Sequence, residues 1–125
     1  MRRVKKTIRA IRPRAVLCID APDFHFPVAK HAARQGIPVV YYVAPQAWAW
    51  RQGRVRFLRR YVHELLCLLP FEEDFFRNHG VNAHFTGHPL LEEMAEHNAG
   101  IQTPEPNTLA LLPGSRRKEI QALLP

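Results

Sequence analysis

Short apolar runs rich in Val, Ile, Leu and Tyr alternate along this chain with amphipathic stretches of helical period, and few folds accommodate that alternation. Strands that are hydrophobic on both faces belong to parallel sheets, whose neighbouring strands need a long crossover between them. The pattern predicts strands at 15–19, 38–43, 64–68, 82–86 and 108–112. It predicts helices at 2–11, 27–35, 50–61, 71–79, 90–97 and 116–124, with Gly36 and Gly80 closing two of them. The fold class is α/β, built from βαβ units around a parallel sheet.

With 125 residues, 46% of them hydrophobic, the chain can bury a real core. No stretch approaches the roughly 20 apolar residues that cross a bilayer, and the basic start Met1-Arg-Arg-Val-Lys-Lys lacks the apolar centre of a secretory signal. A cytoplasmic location is the default expectation. Cys18 and Cys67 fall inside apolar strand runs, so they read as small core residues rather than a disulfide or metal pair.

The formal charge of +7 is concentrated in two places. Seven Lys or Arg residues and no acid lie between Arg2 and Arg14, and five arginines lie between Arg51 and Arg60. Such surfaces attract anions: nucleic acid, an anionic membrane or a phosphorylated substrate. A merely solvated basic helix accounts equally well for the first cluster.

Residues 98–107 are polar, proline-bearing and without period, and are expected to form a linker. The expected organisation is residues 1–97 as the later part of one domain and 108–125 as the first strand, turn and helix of a second. The chain reads as the middle of a longer protein.

The strand ending at Asp20 opens onto the edge where ligands sit in open α/β sheets. Pro22 is expected to hold Ala21 extended, which leaves Asp23 placed to cap the following helix. Asp20 then has no structural duty and is a candidate general base, with a loop hydrogen-bond role as the alternative. His25, in an aromatic and proline-rich turn, reads first as packing. The next strand exits through Gln46, Trp48, Trp50 and Arg51, an amphipathic surface able to stack on a sugar or cover acyl chains, although the tryptophans could instead fill the seam between helix and sheet. His88, in the Gly-His-Pro turn after the fourth strand, is a candidate ligand contact. At Gly114, Ser115 and Arg116 the chain turns toward a basic helix start. There unpaired backbone N–H groups, the helix dipole and a guanidinium fork suit a phosphate or diphosphate, while an ordinary αβ turn stays open as the alternative.

Taken in order, Ile19-Asp-Ala-Pro-Asp-Phe24, Tyr42-Val-Ala-Pro-Gln-Ala-Trp-Ala-Trp-Arg51, Leu69-Pro-Phe-Glu72, Phe85-Thr-Gly-His-Pro-Leu90 and Leu111-Leu-Pro-Gly-Ser-Arg-Arg-Lys-Glu119 resemble the lipid-A-disaccharide synthase family. The resemblance covers nearly the whole chain, and Ala44 stands where many members have Ser. It implies an inverting GT-B glycosyltransferase with two Rossmann-like domains, using no cofactor or metal. The implied substrates are UDP-2,3-diacylglucosamine and 2,3-diacylglucosamine 1-phosphate, joined at the inner face of the cytoplasmic membrane with release of UDP. On this resemblance Asp20 is the catalytic base. Asp23, Gln46, Trp48, Trp50, Arg51 and His88 bind substrate, and Gly114, Ser115 and Arg116 hold the diphosphate. The family's N-terminal glycine-rich acceptor loop and its C-terminal Gly-Thr and Glu motif are absent from these residues, so the 125-residue chain is expected to be inactive by itself. The oligomeric state is left open. Two other readings compete: another GT-B enzyme acting on a soluble sugar nucleotide, and a basic nucleic-acid-binding module. The second is disfavoured because the aromatic residues are grouped in one loop rather than interleaved with the basic ones.

Overall fold

The structure is a computed structural model that describes residues 1–48, 53–97 and 106–123. The chain divides into two compact units, Met1–Glu93 and Met94–Pro125. Each is described by itself.

The first unit runs α1 (Arg2–Ile11), β1 (Val16–Ile19), α2 (Pro22–Ala33), β2 (Val39–Tyr42), α3 (Gly53–Tyr61), β3 (Glu64–Cys67), α4 (Pro70–Asn78), β4 (Ala83–Phe85) and the start of α5 (Pro89–His97). The four strands form one parallel sheet in the order β1-β2-β3-β4. Cys18, Tyr41, Leu65 and Ala83 stand in register across all four strands, and each is at most 1% exposed. Val28, Ala29 and Ala32 of α2, Leu58 of α3 and Phe76 of α4 complete the core against that row.

Within these residues α2, α3 and α4 cover one face of the sheet. On the opposite face Leu17 is 58% and Ile19 51% exposed, and Val40, Tyr42 and Leu66 are half-buried. The topology explains this. A parallel sheet that advances strand by strand in one direction, with right-handed crossovers, puts its connecting helices on one side only.

Gly36 and Gly80 close α2 and α4 as expected. Both have positive φ, 72° and 75°, and Ile37 N–H to Ala32 C=O and Val81 N–H to Phe76 C=O complete the six-to-one bonds of such a helix end. The helix expected at 27–35 starts earlier, at Pro22, because proline is tolerated at the first helical position. Pro27 lies inside α2.

In the second unit α6 spans Arg117–Leu123. The strand expected at 108–112 does not form: those residues are irregular, and Leu109, Leu111 and Leu112 are 82%, 72% and 88% exposed. Apolar content alone does not make a strand, which requires a neighbouring ladder to take its backbone groups. The expected linker lies outside the described residues except for Pro106 and Asn107.

Cys18 and Cys67 are free thiols in the core. Burial pushes the Cys18 thiol from 9.0 up to about 11, and burial, with the nearby Glu72 and Glu73 charges, pushes Cys67 up to about 12. The folded state therefore favours the protonated thiols. Their contribution to stability is complete below the unfolded value near 9.0 and is lost as pH rises through about 11 and 12. Urea midpoints are expected to fall as pH is raised above 9.0 into this range, and to fall less steeply in a Cys18→Ala/Cys67→Ala variant. Equal slopes in the two proteins would count against the buried thiols.

Candidate functional site

The sequence-predicted residues of the first unit gather at the carboxyl edge of the sheet. Asp20 follows β1, Asp23 lies in the first turn of the helix after it, Gln46 and Trp48 follow β2, and His88 follows β4; Glu72, which the sequence did not single out, lies in the first turn of α4 after β3. This is the edge at which open α/β sheets hold their ligands.

Asp20 is fixed through its backbone while its side chain stays exposed. Its N–H continues the ladder to Tyr42 C=O at 2.9 Å, and its φ of 50° then turns the chain sharply out of the sheet. Two donors grip its carbonyl oxygen: the Tyr41 hydroxyl at 2.7 Å and the His25 Nδ1–H at 2.8 Å. Tyr41 is fully buried, and burial, with the Cys18 and Asp20 charges nearby, pushes its phenol well above the ordinary value, so it stays a donor. Among the described residues the Asp20 carboxylate has no hydrogen-bond or ion-pair partner. A carboxylate held in place and open to solvent at a strand end is free to accept a proton from a bound hydroxyl.

Two expectations fail at this turn. Ala21 is not extended: with φ 40° and ψ 61° it sits in the left-handed region and is itself the N-cap of α2. Asp23 therefore lies in the first turn of the helix rather than capping it. Its carboxylate favours the positive end of the helix dipole and accepts from Arg54 Nη2 of α3 at 3.1 Å, which ties α3 to the start of α2. His25, read from sequence as packing, directly touches the Asp20 backbone.

After β2 the chain makes a second sharp turn, at Val43 with φ 69°, a value unusual for a β-branched residue. Ala44, Pro45 and Ala47 are buried while Gln46 and Trp48 are exposed, so this loop rests on the core and presents two side chains outward. The Trp48 indole N–H donates to Glu72 Oε1 at 3.2 Å, and its ring meets Phe71 edge-on at 5.1 Å. Trp50 and Arg51 lie outside the described residues.

His88 lines a cavity of about 330 Å³ with Tyr42, Leu66, Thr86, Gly87 and Leu91. Its Nδ1 accepts from the Leu90 N–H at 3.2 Å, which makes it the side-chain cap of α5, with Pro89 at the first helical position. One ring nitrogen is thus committed to structure.

In the second unit the turn at Gly114, Ser115 and Arg116 already holds an anion, and it is internal. Glu119 accepts from Arg116 Nη1 at 2.6 Å and from the Arg116 N–H at 3.3 Å. Its Oε2 stands 2.7 Å from where a Cβ on Gly114 would be. The arrangement receives a carboxylate where the sequence predicts a phosphate. Among the described residues no group of three His, Cys, Asp or Glu side chains is placed to hold a metal.

Sequence reasoning missed two residues, the Tyr41 hydroxyl and Glu72. A tyrosine in an apolar strand signals nothing about where its hydroxyl goes. Glu72 could have been found as the N3 acid of the helix opened by Pro70, the half of a capping box that reaches back to the N-cap N–H.

A family model described as lipid-A-disaccharide synthetase matches residues 1–125. The lipid-A-disaccharide synthase of Koribacter versatilis is 50% identical over 123 residues, covering 91% of this chain and 32% of that protein. Those of Syntrophus aciditrophicus and Myxococcus xanthus are 43% and 46% identical over 132 and 122 residues, covering 100% and 91% of this chain and 34% and 32% of theirs. The chain thus spans about a third of the length of these curated relatives. Because the family model matches this chain over all of residues 1–125, the chain belongs to the lipid-A-disaccharide synthetase family.

Proposed function

We propose that these residues serve an inverting glycosyltransferase that joins UDP-2,3-diacylglucosamine to 2,3-diacylglucosamine 1-phosphate with release of UDP. The observation that carries this reading is Asp20, a carboxylate with a clamped backbone and an open side chain at the ligand-binding edge of a parallel sheet. Asp20 would take the proton from the acceptor's 6-hydroxyl as that oxygen attacks the anomeric carbon of the donor, and the bond to UDP breaks on the opposite side. Trp48 and Gln46 would line the sugar, with the exposed part of the indole as a stacking surface. In the second unit Arg116, with the Gly114 and Ser115 backbone, would neutralise the departing diphosphate, which displaces the Glu119 carboxylate from the guanidinium.

The membrane side of the reading rests on a different surface. α1 exposes Arg2, Arg3, Lys6 and Arg9, and a groove of about 470 Å³ beside it is lined by Lys5, Lys30, His31 and Arg34 around Phe26 and Phe57. No acid lines it. Among the described residues no helix is long and apolar enough to cross a membrane. This face would meet anionic lipid from one side, with each cation near the surface contributing about 1 kcal/mol.

These roles generate three outcomes. With the 125 residues exchanged into the Koribacter versatilis synthase, Asp20→Asn is expected to lower turnover by roughly 100-fold or more with little change in KM, and near-normal turnover would remove the base role. The 125-residue chain by itself is expected to release no UDP from the two substrates, and release at rates near those of the exchanged enzyme would show that it is sufficient. It is also expected to float with vesicles containing phosphatidylglycerol and not with phosphatidylcholine alone. That binding should weaken steeply as salt rises and drop in a Lys30→Glu/Arg34→Glu variant. Preference for duplex DNA over the vesicles would favour the nucleic-acid reading instead.

A further inference from the structure

Glu72 is the one charged side chain buried among the described residues, 3% exposed, and no cation answers it. A buried carboxylate survives when hydrogen bonds satisfy it, and here both oxygens are used. Oε2 accepts from the Leu69 N–H at 3.2 Å, closing the first turn of α4, and Oε1 accepts from the Trp48 indole at 3.2 Å. The first bond alone would suffice for a helix cap, and an exposed glutamate would provide it at lower cost. The second bond crosses between loops: it links the segment leaving β2 to the helix that follows β3. Phe71, the residue before Glu72, adds an edge-on contact to the same indole.

We infer that Glu72 is a positioning residue, whose buried carboxylate sets the orientation of the Trp48 indole at the ligand edge and so determines how tightly a sugar stacks there. The step from orientation to affinity rests on the substrate reading given above. An indole whose N–H is fixed can turn neither toward the solvent nor into the seam beside Phe71, so its exposed part presents one surface to a ligand. Charge-assisted donation to the carboxylate also makes the contact stronger than a neutral partner would. A fixed stacking surface binds more tightly than a mobile one because less freedom is lost on binding.

The test uses the whole 125-residue chain with Trp50→Phe, which leaves Trp48 as its single indole. In that protein the Trp48 indole N–H is expected to exchange with deuterium at least roughly tenfold more slowly than in urea, a measurement that needs no change at Glu72. Acrylamide quenching of Trp48 in the folded protein is expected to rise several-fold in Glu72→Ala. In Glu72→Gln, which keeps an oxygen for the indole, quenching should return most of the way. With the 125 residues exchanged into the Koribacter versatilis synthase and Trp50 kept, affinity for 2,3-diacylglucosamine 1-phosphate should fall up to roughly tenfold in Glu72→Ala, the ordering cost of one side chain left mobile. Unprotected exchange of the indole, or unchanged quenching in a folded Glu72→Ala, would overturn the inference even if the urea midpoint fell. Should Glu72→Ala not fold, the exchange rate and the Glu72→Gln quenching decide the matter. If the indole is protected and responds to both variants while the exchanged synthase binds the acceptor equally well with and without Glu72→Ala, the step to sugar affinity fails and the fixed indole stands.

Discussion

Parallel strands cannot be joined by a tight turn, and most of this molecule follows from that restriction. Each return from the carboxyl end of one strand to the amino end of the next needs a crossover, and the helices α2, α3 and α4 supply it. Because the order β1-β2-β3-β4 never reverses, these helices share one face of the sheet, and the core forms on that side around Tyr41, Leu65 and Phe76. The same restriction places every strand exit on one edge. Residues far apart in sequence, Asp20, Trp48, Glu72 and His88, come to that edge without any need for them to contact one another.

The exits are where the backbone is under strain. Asp20, Ala21 and Val43 all adopt positive φ without being glycine, and such residues cost on the order of 1 to 3 kcal/mol each. They are held there by what surrounds them. Asp20 takes one ladder bond through its N–H and two more through its carbonyl, one of them from a tyrosine in the centre of the core. The strain at Asp20 is therefore opposed by the packing of β2, and a rigid sheet interior is converted into a defined position for an exposed carboxylate. Glu72 acts in the same manner for Trp48, with a buried group fixing an exposed one.

The repeating part of the fold was legible in the sequence. Four of the five strands and five of the six helices lie close to where period and apolar content put them, because in a crossover fold local pattern and tertiary burial agree. The helix expected at 27–35 begins five residues early, at Pro22. The failures share a cause. The strand at 108–112 has the right composition, but a ladder partner cannot be read from composition. Leu17 and Ile19 are apolar and exposed in these residues, since topology rather than residue type decides on which face the crossover helices land. At the site, motif positions could be identified and side-chain duties could not. Asp23 and Ala21 exchanged roles because Pro22 could either hold its predecessor extended or open a helix, and only the tertiary setting chose. The Tyr41 and Glu72 contacts join residues 21 and 24 positions apart and leave no local trace.

The two anion-related features are supported very differently within their own units. Asp20 is backed by the core through Tyr41. In the second unit α6 has no buried residue, and the leucines at 109, 111 and 112 face solvent, so Arg116 is held chiefly by a surface pair with Glu119. Exposed ion pairs of this kind contribute about 0 to 1 kcal/mol, too little to fix a guanidinium against its own rotamer freedom. A general base gains from being placed before the substrate arrives, since proton removal depends on a short and directed contact. A diphosphate clamp needs less, because two negative charges bind a mobile cation over a wide range of geometries, and the Glu119 carboxylate shows that the turn already receives an anion. Under the proposed function the base would therefore be built into the fold of the first unit, whereas the clamp would take its shape from the anion it binds.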